Sequence, residues 1–128
     1  MGQLDENVVK ALGAYGGGIA ATGGTCGTLL GGVALISSFY SRGKLQDKED
    51  PRMWSLSQLF IVRFTELTSE CGGTDCRDIA RMDWRDNEAT KAYYNDPESR
   101  RQICIKLVGD AAFALGEILD EVNLDEVK

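Results

Sequence analysis

The sequence predicts an all-α protein: a single helical domain of four to five helices packed around a glycine-rich, buried helix. Three observations lead to this fold class. No segment alternates apolar and polar residues over the length of a strand. Apolar residues instead recur at spacings of three and four in several parts of the chain. Residues 11–41 carry no charge and include nine glycines, so other helices can enclose this segment.

The first helix is predicted over residues 4–15, with Asp5 as its N-cap. Its apolar face would consist of Leu4, Val8, Leu12 and Tyr15. The three glycines at 16–18 should end the helix, because glycine adopts the left-handed conformations that a helix exit needs. Residues 19–24 are predicted to form a loop.

The central helix is predicted from about residue 25 to residue 40, with Thr22 or Thr25 as its N-cap. Gly23, Gly27 and Gly31 follow one another at intervals of four, which would leave one helix face without side chains. A second backbone could approach closely there, from the same chain or from another copy. We therefore expect this glycine ridge to support packing and homodimerisation.

The third helix should begin at Asp50-Pro51, after a polar linker over residues 42–50. An aspartate followed by proline is typical of a helix start, since the carboxylate caps the helix and proline fits its first position. The helix is predicted to continue to about Ser69. Its amphipathic face comprises Met53, Leu56, Phe60, Phe64 and Leu67.

A tight glycine turn is predicted from Cys71 to Cys76, followed by a short helix over 76–82 that Thr74 or Asp75 caps. Residues 83–95 are predicted to be irregular or a brief helix. The aromatic residues expected to hold this segment on the core are Trp84, Tyr93 and Tyr94.

The last helix is predicted to begin at Asp96-Pro97 and to reach Val122. Its buried face should contain Cys104, Val108, Ala111, Leu115, Ile118 and Val122. Its solvent face should contain Arg100, Lys106, Asp110, Glu117 and Glu121.

Composition excludes several functions. The net charge is −6 without a basic block, so nucleic acid is not an expected partner. The absence of histidine excludes Ser-His-Asp and Cys-His catalysis and a histidine-ligated haem. The glycine cluster lacks the Lys-Ser/Thr of a P-loop, so no nucleotide is expected. Glycine and threonine dilute the uncharged run, which favours a buried helix over a membrane span. Without a signal segment, we expect a cytoplasmic protein.

The four cysteines, Cys26, Cys71, Cys76 and Cys104, are the candidate functional residues. In a reducing compartment, cysteines favour metal or redox roles over structural disulfides. Cys26 and Cys76 are each predicted within a turn of a helix start, which favours the thiolate. Cys104 is predicted about two turns into the last helix, on its buried face. We expect a shared site; a Cys71–Cys76 disulfide, with the other two thiols as core residues, is the alternative.

These residues resemble the redox-active protein family that is named for its C_GCAxxG_C_C pattern, a domain also found in split-Soret cytochromes. The central motif is matched by CGTLLG, from Cys26 to Gly31, after a run of three glycines. Cys76 matches the third cysteine of the pattern, and Cys104 matches the fourth. The resemblance covers nearly the whole chain. It implies redox-active thiols at Cys26, Cys76 and Cys104, with an iron–sulfur or other metal-linked role.

Three features depart from the family pattern. No cysteine precedes Cys26, although the family has one in an N-terminal helix. The N-terminal part of the family domain is thus expected to be missing, or Cys71 takes the place of that cysteine. Thr28 replaces an alanine, and Cys71 is additional to the pattern.

Three functions follow as hypotheses. The first is a redox protein in which Cys26, Cys76 and Cys104, with Cys71 as a fourth ligand, bind an iron–sulfur centre or act as a dithiol in electron transfer. Gly27 and Gly31 would let backbone amides approach that centre. The second is a non-catalytic helical module for binding or dimerisation. The third is a thiol enzyme that uses Arg77 as the positive group beside Cys76. A redox or transport protein is the expected partner.

Overall fold

The computed structural model describes residues 5–127, and the side chains of residues 5–122. The described residues are helical without a β-strand, which confirms the all-α prediction. Six α-helices follow one another: α1 Glu6–Ala11, α2 Gly27–Tyr40, α3 Arg52–Leu67, α4 Cys76–Ile79, α5 Asn87–Asn95 and α6 Arg101–Val127. Two 3₁₀ turns lie at Gly13–Tyr15 and Ser69–Cys71. The helix count exceeds the predicted four to five because residues 83–95 contain a complete helix.

Helices α2, α3 and α6 form the core, with α3 packed against both of the others. The amphipathic face predicted for α3 is confirmed at Met53, Leu56, Phe60 and Phe64, which are all buried, whereas Leu67 is exposed. Burying side chains of this size supplies the main stabilisation of a small domain. The largest buried cluster comprises Leu29, Ile36, Leu56, Phe60, Phe64, Ile79, Leu107, Ala111 and Ile118.

The central helix has the predicted position but is not enclosed. Only Leu29, Gly32 and Ile36 of its 14 residues are buried. The predicted glycine ridge is wrong, because Gly23 lies in the preceding loop with φ +80° and Gly31 faces open space. The glycine that permits close packing is Gly32, which lies directly against the Phe60 ring.

Two of the predicted helix caps are present in the structure, and the caps predicted for α2 are not. Asp5 caps α1, and the Asp50 carboxylate accepts a hydrogen bond from the N–H of Arg52 at 2.9 Å. The threonine caps predicted for α2 are wrong. The Thr22 hydroxyl donates back to loop carbonyls, and Cys26 occupies the N-cap position without a side-chain hydrogen bond. The local threonine turn therefore competes with capping.

The ends of the helices differ from prediction in three places. Helix α1 ends at Ala11 and buries none of its residues, so the predicted apolar face over 4–15 is wrong for the described residues; Leu4 lies outside them. Helix α4 ends at Ile79, before Arg81 takes φ +54°. Helix α6 runs from Arg101 to Val127 instead of from Asp96 to Val122, since residues 96–100 form turns; Cys104 therefore lies in its first turn rather than two turns in.

The buried face of α6 is rotated from the predicted one. Val108 is 52% exposed, whereas Leu107 is buried beside Ala111, Ala114 and Ile118. These four residues repeat at steps of four, three and four, so they form one stripe toward α3. In the described part of the chain, no helix is both long and apolar enough to span a membrane.

Candidate functional site

A short β-bridge holds the two segments that carry Cys26 and Cys76. Thr25 and Asp75 are the bridged residues. The Cys26 N–H donates to the Thr74 carbonyl at 3.1 Å, and the Cys76 N–H donates to the Gly24 carbonyl at 2.6 Å. The residues directly before the two cysteines are thus paired, and the two cysteines lie on neighbouring backbone segments. The bridge therefore fixes the start of α2 beside the start of α4.

Helix α4 begins at Cys76 because Asp75 caps it. The Asp75 and Asp78 side chains form a reciprocal capping box, each bonding to the backbone of the other residue. This arrangement satisfies backbone donors that such a short helix leaves open. Of the two predicted caps, Asp75 is therefore the correct one.

Cys104 approaches the bridged thiols from α6. It packs against a small cluster formed by Cys76, Ala80 and Tyr93, and also against the main core. Burial raises the pKa of the Cys104 thiol most strongly, and negative charge on Cys76 and on Cys26 raises this pKa further. Cys104 therefore interacts electrostatically with both other thiols, and its interaction with Cys76 is the stronger one.

Two aromatic side chains donate hydrogen bonds to this group of sulfurs. The Trp84 indole N–H reaches the Cys76 Sγ at 3.5 Å. The Tyr93 hydroxyl bonds to Cys104, which lowers the Cys104 pKa in opposition to burial. Burial and that hydrogen bond raise the pKa of Tyr93. The rings of Trp84 and Tyr93 stack edge to face, 5.0 Å between centroids.

Cys71 is not among the groups that raise or lower the Cys104 pKa. It ends the 3₁₀ turn before Gly72, whose φ of +90° reverses the chain, and it packs on the main core. Its partner is Arg100, whose Nη2 lies 3.9 Å from the Cys71 Sγ. All four thiols are free in the structure, so the Cys71–Cys76 disulfide is not formed there.

Arg100 is a residue that the helical pattern assigned wrongly to solvent. Its Nε donates to the carbonyl of Ile79 at 2.8 Å, which ties the end of α4 to the start of α6. Its positive charge lowers the Cys104 pKa, but more weakly than burial, Tyr93, Cys76 or Cys26 changes it. The arginine expected to act on a thiol was Arg77, but its Nε donates to the Gly23 carbonyl at 2.8 Å.

The glycines proposed to contact a cofactor have different surroundings. A Cβ added at Gly27 would lie 3.0 Å from the carbonyl oxygen of Tyr15, so this glycine permits a backbone of the same chain to approach. Gly31 has open space around it. Their role toward a cofactor stays a prediction.

The loop before Cys26 is left-handed over five consecutive residues, 17–21, with φ between 52° and 75°. Three of them, Ile19, Ala20 and Ala21, are not glycine, and each costs roughly 1–2 kcal/mol in this conformation. This loop borders a cleft of about 430 Å³ whose opposite wall includes Arg77 and Trp84. Because Trp84 also bonds to Cys76, the cleft lies next to the thiol group.

The four cysteines do not converge on one point suited to a metal. Among the residues that the structure describes, no group of three or more Cys, Asp or Glu side chains is placed to hold a metal ion. Cys71 in particular is paired with Arg100. This finding gives no support to an iron–sulfur cluster at these cysteines, which stays a proposal.

Comparison with known families gives one match. The family described as "Putative redox-active protein (C_GCAxxG_C_C)" matches residues 1–118. The chain belongs to this family. No curated protein and no solved structure matches the chain significantly.

Within the C_GCAxxG_C_C family, the central motif of this chain is altered. In the family pattern, one glycine stands directly before the central cysteine and a second glycine stands four residues after it. Here Thr25 precedes Cys26, and the glycines are Gly27 and Gly31, one and five residues after it. Cys26, Cys76 and Cys104, which resemble family cysteines, are also the three thiols that interact electrostatically. Cys71, which is additional to the pattern, is the separate one.

Sequence reasoning missed the hydrogen-bond donors around the thiols. Trp84 and Tyr93 were expected only to hold their segment on the core, and Arg100 to face solvent. One signal was present in the sequence: the aromatics are clustered between two of the family cysteines. Nothing in a linear pattern assigns each donor to its sulfur.

Proposed function

We propose that this member of the C_GCAxxG_C_C family is a thiol-based redox protein in which Cys76 and Cys104 cycle between a dithiol and a disulfide. The observation that carries the proposal is the packing of Cys104 on the Cys76 cluster, with the two sulfurs electrostatically coupled. Cys26 is the third thiol within electrostatic reach of Cys104, and it is partly buried. Redox proteins carrying disulfides or dithiols are the proposed partners.

The proposed reaction is thiol–disulfide exchange. A thiolate of the pair attacks one sulfur of a partner disulfide, and the other partner sulfur leaves as a thiolate that takes up a proton. The second thiol of the pair loses its proton and attacks the mixed disulfide. The pair then forms one S–S bond, while the partner gains two electrons and two protons as two thiols.

The local environment supports a role for the aromatic donors in this chemistry. The Trp84 indole N–H donates a hydrogen bond to the Cys76 sulfur at 3.5 Å, so a protein donor contacts one of the two reacting atoms. Burial raises the pKa of the Cys104 thiol, so Cys104 remains protonated to a higher pH than an ordinary cysteine. Trp84 also lines the cleft, so the hydrogen-bond donor of the buried Cys76 is in contact with that open space.

The experiment is a redox titration of the purified protein in mixtures of reduced and oxidised dithiothreitol, followed by peptide mapping without reduction. We expect one two-electron couple that Cys76→Ser and Cys104→Ser each abolish. Cys71→Ser is the matched control and should leave the couple in place. A couple that survives Cys104→Ser, or a Cys71–Cys76 link in the oxidised protein, contradicts the proposal.

An iron–sulfur centre at Cys26, Cys76 and Cys104, with Cys71 as a fourth ligand, is the competing proposal. The hydrogen bonds that Trp84 and Arg100 donate to sulfurs favour it, since such bonds tune cluster potentials. Anaerobic reconstitution with ferrous iron and sulfide tests it. Visible absorption with bound iron and sulfide would support the cluster and contradict the dithiol; a colourless, iron-free protein is the result expected here.

A further inference from the structure

One side of the domain presents an apolar face that no described part of the chain covers. On α6 the outward stripe consists of Ile105, Val108, Gly109, Ala112, Phe113 and Gly116. Phe113 is 72% exposed, and Ile105 and Val108 are each about half exposed. A contiguous patch of this kind on a small domain is typical of a binding surface. We call it the α6 face.

A groove runs along one edge of the α6 face, between α6 and α2. It encloses about 250 Å³. The residues lining it include Thr28, Gly31 and Leu35 from α2, and Val108, Ala112 and Leu115 from α6. No charged side chain lines the groove. Because Gly31 has no side chain and faces open space, the groove is more open on the α2 side.

The charges on the flank of α6 beside Phe113 are paired within the chain, whereas Arg101 and Asp120 lie beyond the two ends of the face. Lys106 binds Asp110 at 2.6 Å, and Glu117 binds Arg63 at 3.2 Å. Helix α2 carries no charged residue. The six residues of the face therefore offer no group of opposite charge to a strongly charged partner. Binding to an anionic membrane is disfavoured as well, because Lys106 and Arg63 are paired and the net charge of the chain is −6.

The face contains both a protruding side chain and a groove that could receive it. Residues on an α-helix are separated by about 100°, so Phe113 lies roughly 140° around α6 from Val108, on the flank away from the groove. Along the helix axis, Phe113 falls between Val108 and Leu115, the same height as the groove. A two-fold axis parallel to α6 therefore brings Phe113 of each protomer over the groove of its partner.

We propose that the α6 face binds the same face of a second copy of this chain, with Phe113 inserted into the partner's groove. The self-complementarity of protrusion and groove is what an isologous interface requires. The charge-free face allows two chains of like net charge to meet. This places the dimer contact on α6 and its groove rather than on the glycine ridge that the sequence suggested.

The size of the face sets the expected strength. A stable interface buries roughly 800 Å² on each partner. The three large side chains of the face, Ile105, Val108 and Phe113, are each about half exposed or more, and they supply only part of that area. The dimer should therefore be weak, with a dissociation constant on the order of micromolar. Ionic strength should change it little, because no charge pair crosses the interface.

Sedimentation velocity of the full chain over a wide concentration range, under reducing conditions, tests the proposal. We expect a concentration-dependent shift from monomer to dimer. Phe113→Ser should raise the dissociation constant at least about tenfold, since it removes the central anchor. Because Phe113 is exposed, this variant should keep its helical circular dichroism. Leu45→Ser, at a position 88% exposed in the linker, is the matched control and should not alter the equilibrium.

Three outcomes would overturn the proposal. The first is a monomer at hundreds of micromolar. The second is a dimer that Phe113→Ser leaves unchanged. The third is a monomer that binds vesicles of neutral phospholipid only when Phe113 is present, which would assign the face to a lipid surface instead.

Discussion

Thr25 and Asp75 face each other across an isolated antiparallel bridge, although they lie in different thirds of the chain. The bridge joins the residue before Cys26 to the residue before Cys76. It thereby brings two cysteines from distant parts of the sequence onto neighbouring backbone segments. The geometry of the thiol group depends on this bridge and on the cap that Asp75 provides.

Replacing Asp75 with alanine should destabilise both the α4 start and the thiol group. Removal of an N-cap carboxylate costs about 0.5–2 kcal/mol in the free energy of unfolding. Urea unfolding of the reduced protein measures this change. Asp47→Ala, an exposed aspartate in the linker, is the control and should change stability by less than about 0.5 kcal/mol. Equal losses for both variants would contradict the role of the cap.

The packing of α2 on α3 predicts opposite effects for two adjacent glycines. In Gly32→Ala the new methyl group would collide with the Phe60 ring, so we expect a loss of about 1–3 kcal/mol. In Gly31→Ala the methyl group enters open space, and alanine favours the helix by up to about 1 kcal/mol. Thermal unfolding by circular dichroism should show a lower midpoint for the first variant and an equal or higher midpoint for the second. The reverse order would mean that α2 is packed through Gly31.

Stability should fall at alkaline pH because of Cys104 and Tyr93. Burial raises the pKa of both groups, so the folded state favours their neutral forms. Their contribution is complete below the unfolded pKa values, about 8.5 for cysteine and about 10 for tyrosine, and is lost as pH rises through the folded values. Urea unfolding under reducing conditions between about pH 8 and pH 11 should show this decline.

A tyrosine pair separates this effect from general charge repulsion. Tyr93→Phe removes one of the two groups, so its free energy of unfolding should fall less steeply above about pH 10. Tyr15→Phe, at an exposed position outside this aromatic cluster, should follow the wild type. Identical slopes for all three proteins would show that Tyr93 is not the source. Tyr93→Phe should also raise the pKa of Cys104, measured by alkylation rate, because it loses a hydrogen bond that lowers that pKa.

The hydrogen bond from Trp84 to Cys76 predicts a shift in redox potential. Without it, the reduced form loses about 1 kcal/mol of stabilisation, which corresponds to roughly 20 mV for a two-electron couple. Trp84→Phe should therefore have a more negative midpoint in a dithiothreitol titration. Trp54→Phe is the control, since Trp54 is exposed and bonds to Glu49 instead. An unchanged or more positive midpoint for Trp84→Phe would contradict the predicted direction.

The sequence by itself determined the helical class, the family and the positions of the main helices. These follow from local information: the spacing of Met53, Leu56, Phe60 and Phe64, the Asp50-Pro51 start, and the cysteine pattern. Each rests on residues within a few turns of one another, where hydrophobic periodicity and capping act directly. The same local signals misled where two faces were equally apolar, as for Val108 and Leu107 on α6.

Only the tertiary structure decided which groups meet. The bridge between Thr25 and Asp75, the contact of Arg100 with Cys71 and Ile79, and the donation from Trp84 to Cys76 all join distant segments. Such pairings depend on how the helices pack, and the spacing of residues along the chain does not predict that packing. Cys71 is an example. It lies only five residues before Cys76 in the sequence, yet its sulfur contacts Arg100, just before the start of α6.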